Sequence, residues 1–442
     1  MEGIIMFAQL ILSISILVGL HELGHLVAAK VFGMRVEKYS IGFPPKIFGF
    51  QWGETEYSIG AIPLGGFVKI SGMVDESLDT ENLDEEPQPW EFRAKPAWQR
   101  LIVMLGGIII NVITGIIIFI SLLYVNGEEY LPKSEVNKAG IYALELGEKI
   151  GLQTGDKILN VNGKDWERFG DLSNIEVLLE DDSYYTVLRD GDTITVDVPS
   201  DFMNDLSEKK GQFIFYRHPF VVGNVSKDSP GAKAGLKEGD KILEINGQEF
   251  TYFDEFKSEI SQYAGEEVSL TVKRDSETKQ MNVALGDSAI IGFLPVVEGV
   301  NFEREEYSLG QAIPMGTSKA FTVVWVNIRA FGKMFSGDLD PTKSLQGPIG
   351  IMRTFGGTWD WTRFWALTGL LSMVLAFMNL LPIPALDGGH VVFLLYEIVS
   401  GRKPSDKFLE GAQKVGMAIL LTLMVFIFGN DIWQWIRDSF LG

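Results

Sequence analysis

Hydrophobic residues in this chain are gathered into four long runs. Residues 4–20, IIMFAQLILSISILVGL, are apolar almost throughout, and the pattern resumes as LVAAKVFG after a short polar break. A second run covers residues 101–125, a third about 363–397, and a fourth 416–429 with an extension expected through Trp435. About 20 apolar residues span a bilayer as a helix, so the pattern predicts four transmembrane helices. The third run holds Pro382, Pro384 and the pair Gly388-Gly389, which predicts a break or unwound stretch in its middle. A cleaved signal peptide needs a basic start and a small-residue cleavage site. The chain begins Met1-Glu2-Gly3, so the first run reads as a span.

Between the second and third runs the sequence repeats itself. Gly151-Leu152-Gln153-Thr154-Gly155-Asp156-Lys157-Ile158-Leu159 is followed by Val161-Asn162-Gly163. Eighty-four residues on stands Gly235-Leu236-Lys237-Glu238-Gly239-Asp240-Lys241-Ile242-Leu243, then Ile245-Asn246-Gly247. Each copy reads as a glycine turn, an apolar strand and an Asn-Gly turn, which favours positive φ. The spacing is too long for a solenoid and fits two small domains in tandem. The pattern resembles a bacterial PDZ domain, most clearly in SPGAKAGLKEGDKILEINGQ of the second copy. Such domains can bind a peptide by adding a strand to a sheet edge. His218 reads as an ordinary surface or packing histidine. Residues 308–336 carry apolar positions at helical spacing, expected as a helix on the membrane surface or against the second copy.

The segments follow from these patterns: a first span in 1–32, a loop in 33–96, a second span in 97–126, repeat copies in 127–210 and 211–292, and a connecting segment in 293–362. The third span takes 363–397, and a loop with the fourth span takes 398–442. Lys30, Arg35, Lys38, Arg93, Lys95 and Arg100 flank the first loop, and Arg402, Lys403, Lys407 and Lys414 fill the last. The positive-inside rule makes both loops cytoplasmic, and both termini and the repeats extracytoplasmic. The acidic run from Asp75 to Glu91 reads as a solvated linker.

A net charge of -20 argues against nucleic-acid binding. With no cysteine, disulfides and thiolate metal sites are excluded. Any metal must be held by His, Asp or Glu, and there are only four histidines: His21, His25, His218 and His390. Two of them stand in His21-Glu22-Leu23-Gly24-His25. On a helix, residues four apart share a face, so both imidazoles can bind one Zn²⁺ while Glu22 lies where it can take a proton from a zinc-bound water. Ionisable residues inside an apolar run are costly and mark function. A catalytic zinc takes three protein ligands. The third candidate is Asp387, in NLLPIPALDGGH, with His390 as its rival. Backbone opened by the prolines is tolerated at membrane depth only in protein or against a cavity.

HELGH in the first span, NLLPIPALDGGH in a later one and PDZ-like copies between them resemble the site-2 protease family of intramembrane zinc metalloproteases. The resemblance covers nearly the whole chain and includes FRAKPAWQRLIVMLGGIIIN and the GPIGI stretch from Gly347 to Ile351. It implies a multi-pass α-helical membrane protein with four transmembrane helices, a membrane-associated β-hairpin and two extracytoplasmic PDZ-like α+β domains. It implies one catalytic zinc on His21, His25 and Asp387, with Glu22 as general base. It also implies substrate binding by Asn379 and Pro382 and by Gly65, Gly66 and Phe67 of a hairpin in Glu54–Met73, read as two short strands around Pro63-Leu64-Gly65-Gly66. The family usually has a Gly-Pro pair before the second-span Asn, whereas this chain has Gly107-Ile108 before Asn111. The implied partners are the lipid bilayer, single-span membrane proteins, and peptide segments at the PDZ-like copies. An anti-sigma factor in envelope stress signalling is the family expectation, with remnant signal peptides as a second substrate. The implied place is the bacterial inner membrane, with periplasmic repeats and an active site toward the cytoplasm. Two other readings compete: a PDZ-bearing scaffold with a non-catalytic zinc site, and a zinc-dependent transporter.

Overall fold

A computed structural model describes residues 2–73, 86–180, 182–208, 212–344 and 347–440. They form two units, Met1–Gly127 with Glu306–Gly442, and Glu128–Glu305. The acidic run falls mostly on residues 74–85, outside the described residues.

The first unit is helical. Its helices are α1 (Glu2–Val31), α2 (Ala97–Asn126), α3 (Leu309–Ser336), α4 (Trp361–Leu380), α5 (Asp387–Ser400) and α6 (Asp406–Phe440). Among the described residues four helices, α1, α2, α4 and α6, are long and apolar enough to cross a membrane. Lipid gives no hydrophobic drive for helices to associate, so close backbone packing must do it, and small residues permit that. Here α1 and α2 meet at Gly24 and Gly106: a Cβ on Gly106 would stand 2.6 Å from the Gly24 carbonyl oxygen. Buried polar pairs add to the packing. Ser13 Oγ lies 3.0 Å from Thr368 Oγ1, and Ser372 Oγ donates to the Asn111 carbonyl at 2.7 Å.

The third apolar run breaks where the prolines stand. A residue before proline is pushed out of the helical region, and Leu381 is extended at φ -60, ψ 143, so α4 stops at Leu380. The chain turns over 381–386 and restarts as a helix at Asp387. The expectation that Gly388 and Gly389 loosen the helix is corrected. They lie in the first turn of α5, where a Cβ on either would strike the backbone of 380–384. Their role is close packing. Asp431 of α6 accepts from the Ile349 N–H at 2.7 Å at the start of the short helix Pro348–Phe355. A Cβ at Gly347 would meet that carboxylate at 2.6 Å, which accounts for the glycine of the GPIGI stretch.

The hairpin differs from expectation as well. Its strands are β1 (Val36–Trp52) and β2 (Thr55–Ile70), so Pro63 to Gly66 lies inside a strand and the turn is at Gly53-Glu54. The two strands fold back on themselves. Val36, Ser40 and Ile41 pair with Ile70, Phe67 and Gly66, while Phe48 and Trp52 pair with Ile59 and Thr55. Lys38, Ser40 and Ile41 also lie beside Glu56, Ser58 and Ile59, in step along both segments. The result is a curled sheet ordered 46–52, 55–60, 36–41, 66–70. Val36, Val68 and Ile70 share one buried cluster with Leu26 and Ala29 of α1, Val103 and Met104 of α2 and Val391 and Leu394 of α5. That cluster fixes the hairpin's base against three helices.

Helix α3 packs on α2 and α4. Gly316 sits against Ile120, and Phe331 meets Phe377 at 5.6 Å between ring centroids. Leu309, Phe321, Trp325 and Phe335 remain exposed on it.

In the second unit the repeat is visible atom by atom. Asn162 and Asn246 both take positive φ, 50 and 52, at their Asn-Gly turns. Each asparagine side chain accepts from a strand N–H at 2.8 Å, that of Tyr184 and of Ser269. The first copy orders Lys157–Val161, Tyr184–Arg189 and Asp192–Asp197, and the second orders Lys241–Ile245, Glu267–Arg274 and Glu277–Ala284 in the same way. Strand pairing runs past the expected boundaries at 210 and 292, since Ile141–Ala143 pairs with Ile214–Tyr216 and Phe220–Val225 with Phe293–Val297. His218 is buried and stacks on Phe253 at 5.9 Å, a packing histidine.

Candidate metal centre

The helical repeat of α1 turns His21 and His25 to one side, with ring centroids 4.8 Å apart and Nε2 atoms 3.2 Å apart. Asp387, the first residue of α5, is delivered to them by the proline break. Its Oδ2 lies 3.1 Å from His21 Nε2 and 3.3 Å from His25 Nε2. That oxygen is buried and has no hydrogen-bond partner. Ligand atoms about 2.0–2.1 Å from one tetrahedral zinc stand about 3.3 Å from each other. The triangle of two imidazole nitrogens and a carboxylate oxygen therefore has the size and the donor chemistry that zinc takes. Among the described residues this is the cluster able to hold a metal.

Groups on α2 and α4 support the triangle. His25 Nδ1 lies 2.8 Å from the Val103 carbonyl, to which it donates, leaving the Nε2 lone pair for the metal side. Asn111 places its amide nitrogen 3.0 Å from His21 Nδ1, and Asn379 places its own 3.2 Å from His21 Nε2. A Cβ on Gly107 would lie 2.5 Å from His25 Nε2 and 2.5 Å from His21 Cε1, so only glycine lets α2 pass this close to the imidazoles.

The triangle opens on a cavity of about 410 Å³. Its polar lining is His21, Glu22, His25, Asn379, Asp387 and His390, and its apolar lining includes Phe43, Phe67, Val68, Met104, Leu386 and Met417. Glu22 packs against the hairpin, since a Cβ on Gly66 would be 3.3 Å from its Cγ. Just before Asp387, Ala385 holds a left-handed backbone at φ 79, a conformation costing a non-glycine residue about 1–3 kcal/mol. That turn aims the start of α5 back at α1.

Of the residues expected here, the structure brings together His21, Glu22, His25, Asp387, Asn379, Gly66 and Phe67. Gly65 and Pro382 do not border the cavity: Gly65 packs under the Phe43 ring, and Pro382 is exposed. His390 borders the cavity but is outside the three-residue cluster, which separates it from Asp387. Asn111, Val103, Met104, Phe43 and Met417 were not expected. A polar Asn111 in an apolar run was a usable signal; a backbone carbonyl such as that of Val103 leaves none.

Known proteins resemble this chain over nearly its whole length. The family model described as Peptidase family M50 matches residues 9–423. The chain is 29% identical to the Regulator of sigma E protease of Haemophilus influenzae, over 95% of this chain and 97% of that protein. It is 28% identical to the Regulator of sigma-E protease RseP of Escherichia coli (strain K12), over 96% and 97%. A relative in Pasteurella multocida (strain Pm70), whose name contains the words zinc metalloprotease, is 30% identical over 96% and 98%.

Proposed function

The chain belongs to Peptidase family M50 and is a zinc metalloprotease of the site-2 type, and from that premise we propose that His21, His25 and Asp387 hold the ion and that Glu22 is the catalytic base. The observation that carries this reading is the triangle of 3.1, 3.2 and 3.3 Å among three ligand atoms, one of them an orphaned buried carboxylate oxygen. When bound, zinc supplies Lewis-acid polarisation of a carbonyl and lowers the pKa of a water toward about 7. Glu22, bordering the same cavity, takes the proton of the attacking water and returns it to the leaving amine. Asn379 orients the scissile segment.

The substrate reading rests on the hairpin. A transmembrane helix shields its own carbonyls, so it must be unwound before attack. Segment 66–70 pairs on one side with 36–41, and among the described residues no strand covers its other side. Gly66, Phe67, Val68 and Ile70 of that segment border the cavity. An extended stretch of substrate added to this edge gains backbone hydrogen bonds beside Glu22. Ile47, Phe48, Phe50 and Trp52 are exposed on the hairpin, an apolar surface suited to lipid. The substrates are single-span membrane proteins, an anti-sigma factor first and remnant signal peptides second.

The lysines and arginines flanking the spans support a cytoplasmic first loop, periplasmic termini and a periplasmic second unit in a bacterial inner membrane. Its two copies are read as PDZ-like domains that screen the extracytoplasmic part of a substrate. A cavity of about 330 Å³ in that unit, with Tyr142, Phe215, Tyr216 and Phe253 in its lining, supports peptide contact. The test is a Glu22→Gln variant assayed on a reconstituted single-span substrate. Cleavage falls at least about 100-fold with zinc still bound; undiminished cleavage refutes Glu22 as base.

A further inference from the structure

We propose that Asn111 is a positioning residue that holds His21 by accepting a hydrogen bond from its Nδ1–H. The inference rests on the zinc reading above and goes beyond its ligand set. Asn111 is fully buried at mid-length in α2. Its backbone is pinned by Ser372, whose hydroxyl donates to the Asn111 carbonyl at 2.7 Å, so the side chain is presented from a fixed turn.

The hydrogen-bond arithmetic at His21 decides the role. Amide nitrogens stand at both ring nitrogens, Asn111 Nδ2 at 3.0 Å from Nδ1 and Asn379 Nδ2 at 3.2 Å from Nε2. A neutral imidazole has one N–H and one acceptor nitrogen, so it cannot accept at both. Asp387 Oδ2, at 3.1 Å, marks Nε2 as the ligand side. Nδ1 then carries the proton and needs an acceptor. The Asn111 amide offers one when turned by 180°, which puts Oδ1 in the place of Nδ2 beside His21 Nδ1. The turn also gives Asn111 Oδ1 a donor; in the other orientation that buried oxygen has no partner. With His25 Nδ1 donating to the Val103 carbonyl at 2.8 Å, α2 then supplies the outer partner of both imidazoles.

The test uses the full chain in detergent, loaded with zinc, with ¹⁵N-labelled histidine. Four histidines make ring-nitrogen assignment tractable. The expected signature is His21 with a protonated, hydrogen-bonded Nδ1 and a metal-bound Nε2. Zinc affinity is read by competition with a chromophoric chelator, and thermal unfolding controls for fold. Asn111→Leu, which cannot accept, weakens zinc binding about 10–100-fold. Asn111→Asp, which accepts but cannot donate, stays within about threefold of the parent. An Asn111→Asp protein that is folded yet loses zinc as Asn111→Leu does overturns the proposal, as does a parent whose His21 carries its proton on Nε2. The parent spectrum gives this answer even where the leucine variant does not fold. Absence of stoichiometric zinc from the parent strikes the metal reading instead, so the two failures are distinct.

Discussion

Buried acids are handled in opposite ways at two places, one in each unit. In the repeats, Asp156 and Asp240 are almost completely buried, and every carboxylate oxygen is occupied. Arg189 Nε and Nη2 donate to the two oxygens of Asp156 at 2.7 Å each, and the Gln153 N–H adds a third bond at 2.8 Å. Arg274 does the same for Asp240 at 2.6 and 2.7 Å, with the Lys237 N–H at 2.9 Å. Each arginine also donates to a glycine carbonyl, Gly151 and Gly235, at 2.8 Å. In the helical unit His21, His25 and Asp387 converge on one point with lone pairs in excess of donors, and an Asp387 oxygen is left over. A buried acid whose capacity is filled is a fastener. A buried cluster with acceptors left over is built for a ligand that is all acceptor-seeking charge, a metal ion.

The largest effect expected from this contrast is at Asp387. Asp387→Ala removes a ligand and takes zinc from one per chain toward none, with cleavage falling to background. Asp156→Ala leaves the metal content unchanged, because its carboxylate serves only its own copy. Elemental analysis of both purified variants decides the matter, and equal zinc in the two refutes the contrast. A second break comes from Gly107→Val. Its Cβ would stand 2.5 Å from ring atoms of both histidines, so α2 must move or the rings must turn. Zinc affinity is expected to drop at least about tenfold while the repeats unfold as before.

These same two regions were unequally legible in the sequence. The ligand pair was plain, because HELGH puts both histidines on one helical face whatever surrounds it. The proline break was plain too, since missing N–H groups act locally. The twin Asn-Gly turns followed from the preference of asparagine and glycine for positive φ. What could not be read was the path of β1 and β2. Pro63-Leu64-Gly65-Gly66 has the composition of a turn, but long-range pairing at its two ends, Ile62 with Phe43 and Gly66 with Ile41, keeps it within a strand. Nor could the role of Gly388 and Gly389 be read, since glycine is the same letter whether it loosens a helix or lets a neighbour close in. Of the supporting groups of α2, Asn111 left a signal as a polar residue in an apolar run, whereas the Val103 carbonyl and Gly107 depend on how two helices cross, which no local pattern encodes.

On the fastener side, Asp240→Ala is expected to lower stability by about 3 kcal/mol, the lower end of the cost of breaking a buried pair, because Arg274 keeps 22% of its side chain at the surface. Burial pushes the Asp240 carboxyl up, but the hydrogen bonds from Arg274 and from the Lys237 N–H outweigh it and hold the group below its ordinary value. A carboxylate with a depressed folded value stabilises above the unfolded value and loses that contribution as pH falls through the folded one. Protection factors in strand Lys241–Ile245, which are corrected for the intrinsic slowing of exchange in acid, are expected to fall on acidification in the parent and to lose this part of their pH dependence in Asp240→Ala.

The smallest effect is expected at Asp254, which sits between the two classes. One oxygen accepts from Arg217 Nε at 3.0 Å, while the other is buried without a partner. Burial pushes this carboxyl above its ordinary value, and Arg217 only partly opposes that. The sign is therefore the reverse of that at Asp240. A raised acid binds its proton more readily folded than unfolded, so stability falls as pH climbs from the unfolded value through the folded one. Asparagine resembles the protonated form, and Arg217 keeps a second partner in Glu255 at 2.5 Å. Asp254→Asn is expected to change stability at neutral pH by less than about 1 kcal/mol, in either direction, against the clear loss at Asp240. Chemical denaturation of the two variants side by side makes the comparison. A loss at Asp254 as large as that at Asp240 would mean that its second oxygen is not spare, and that filled and unfilled acids cannot be told apart by their partners in this unit.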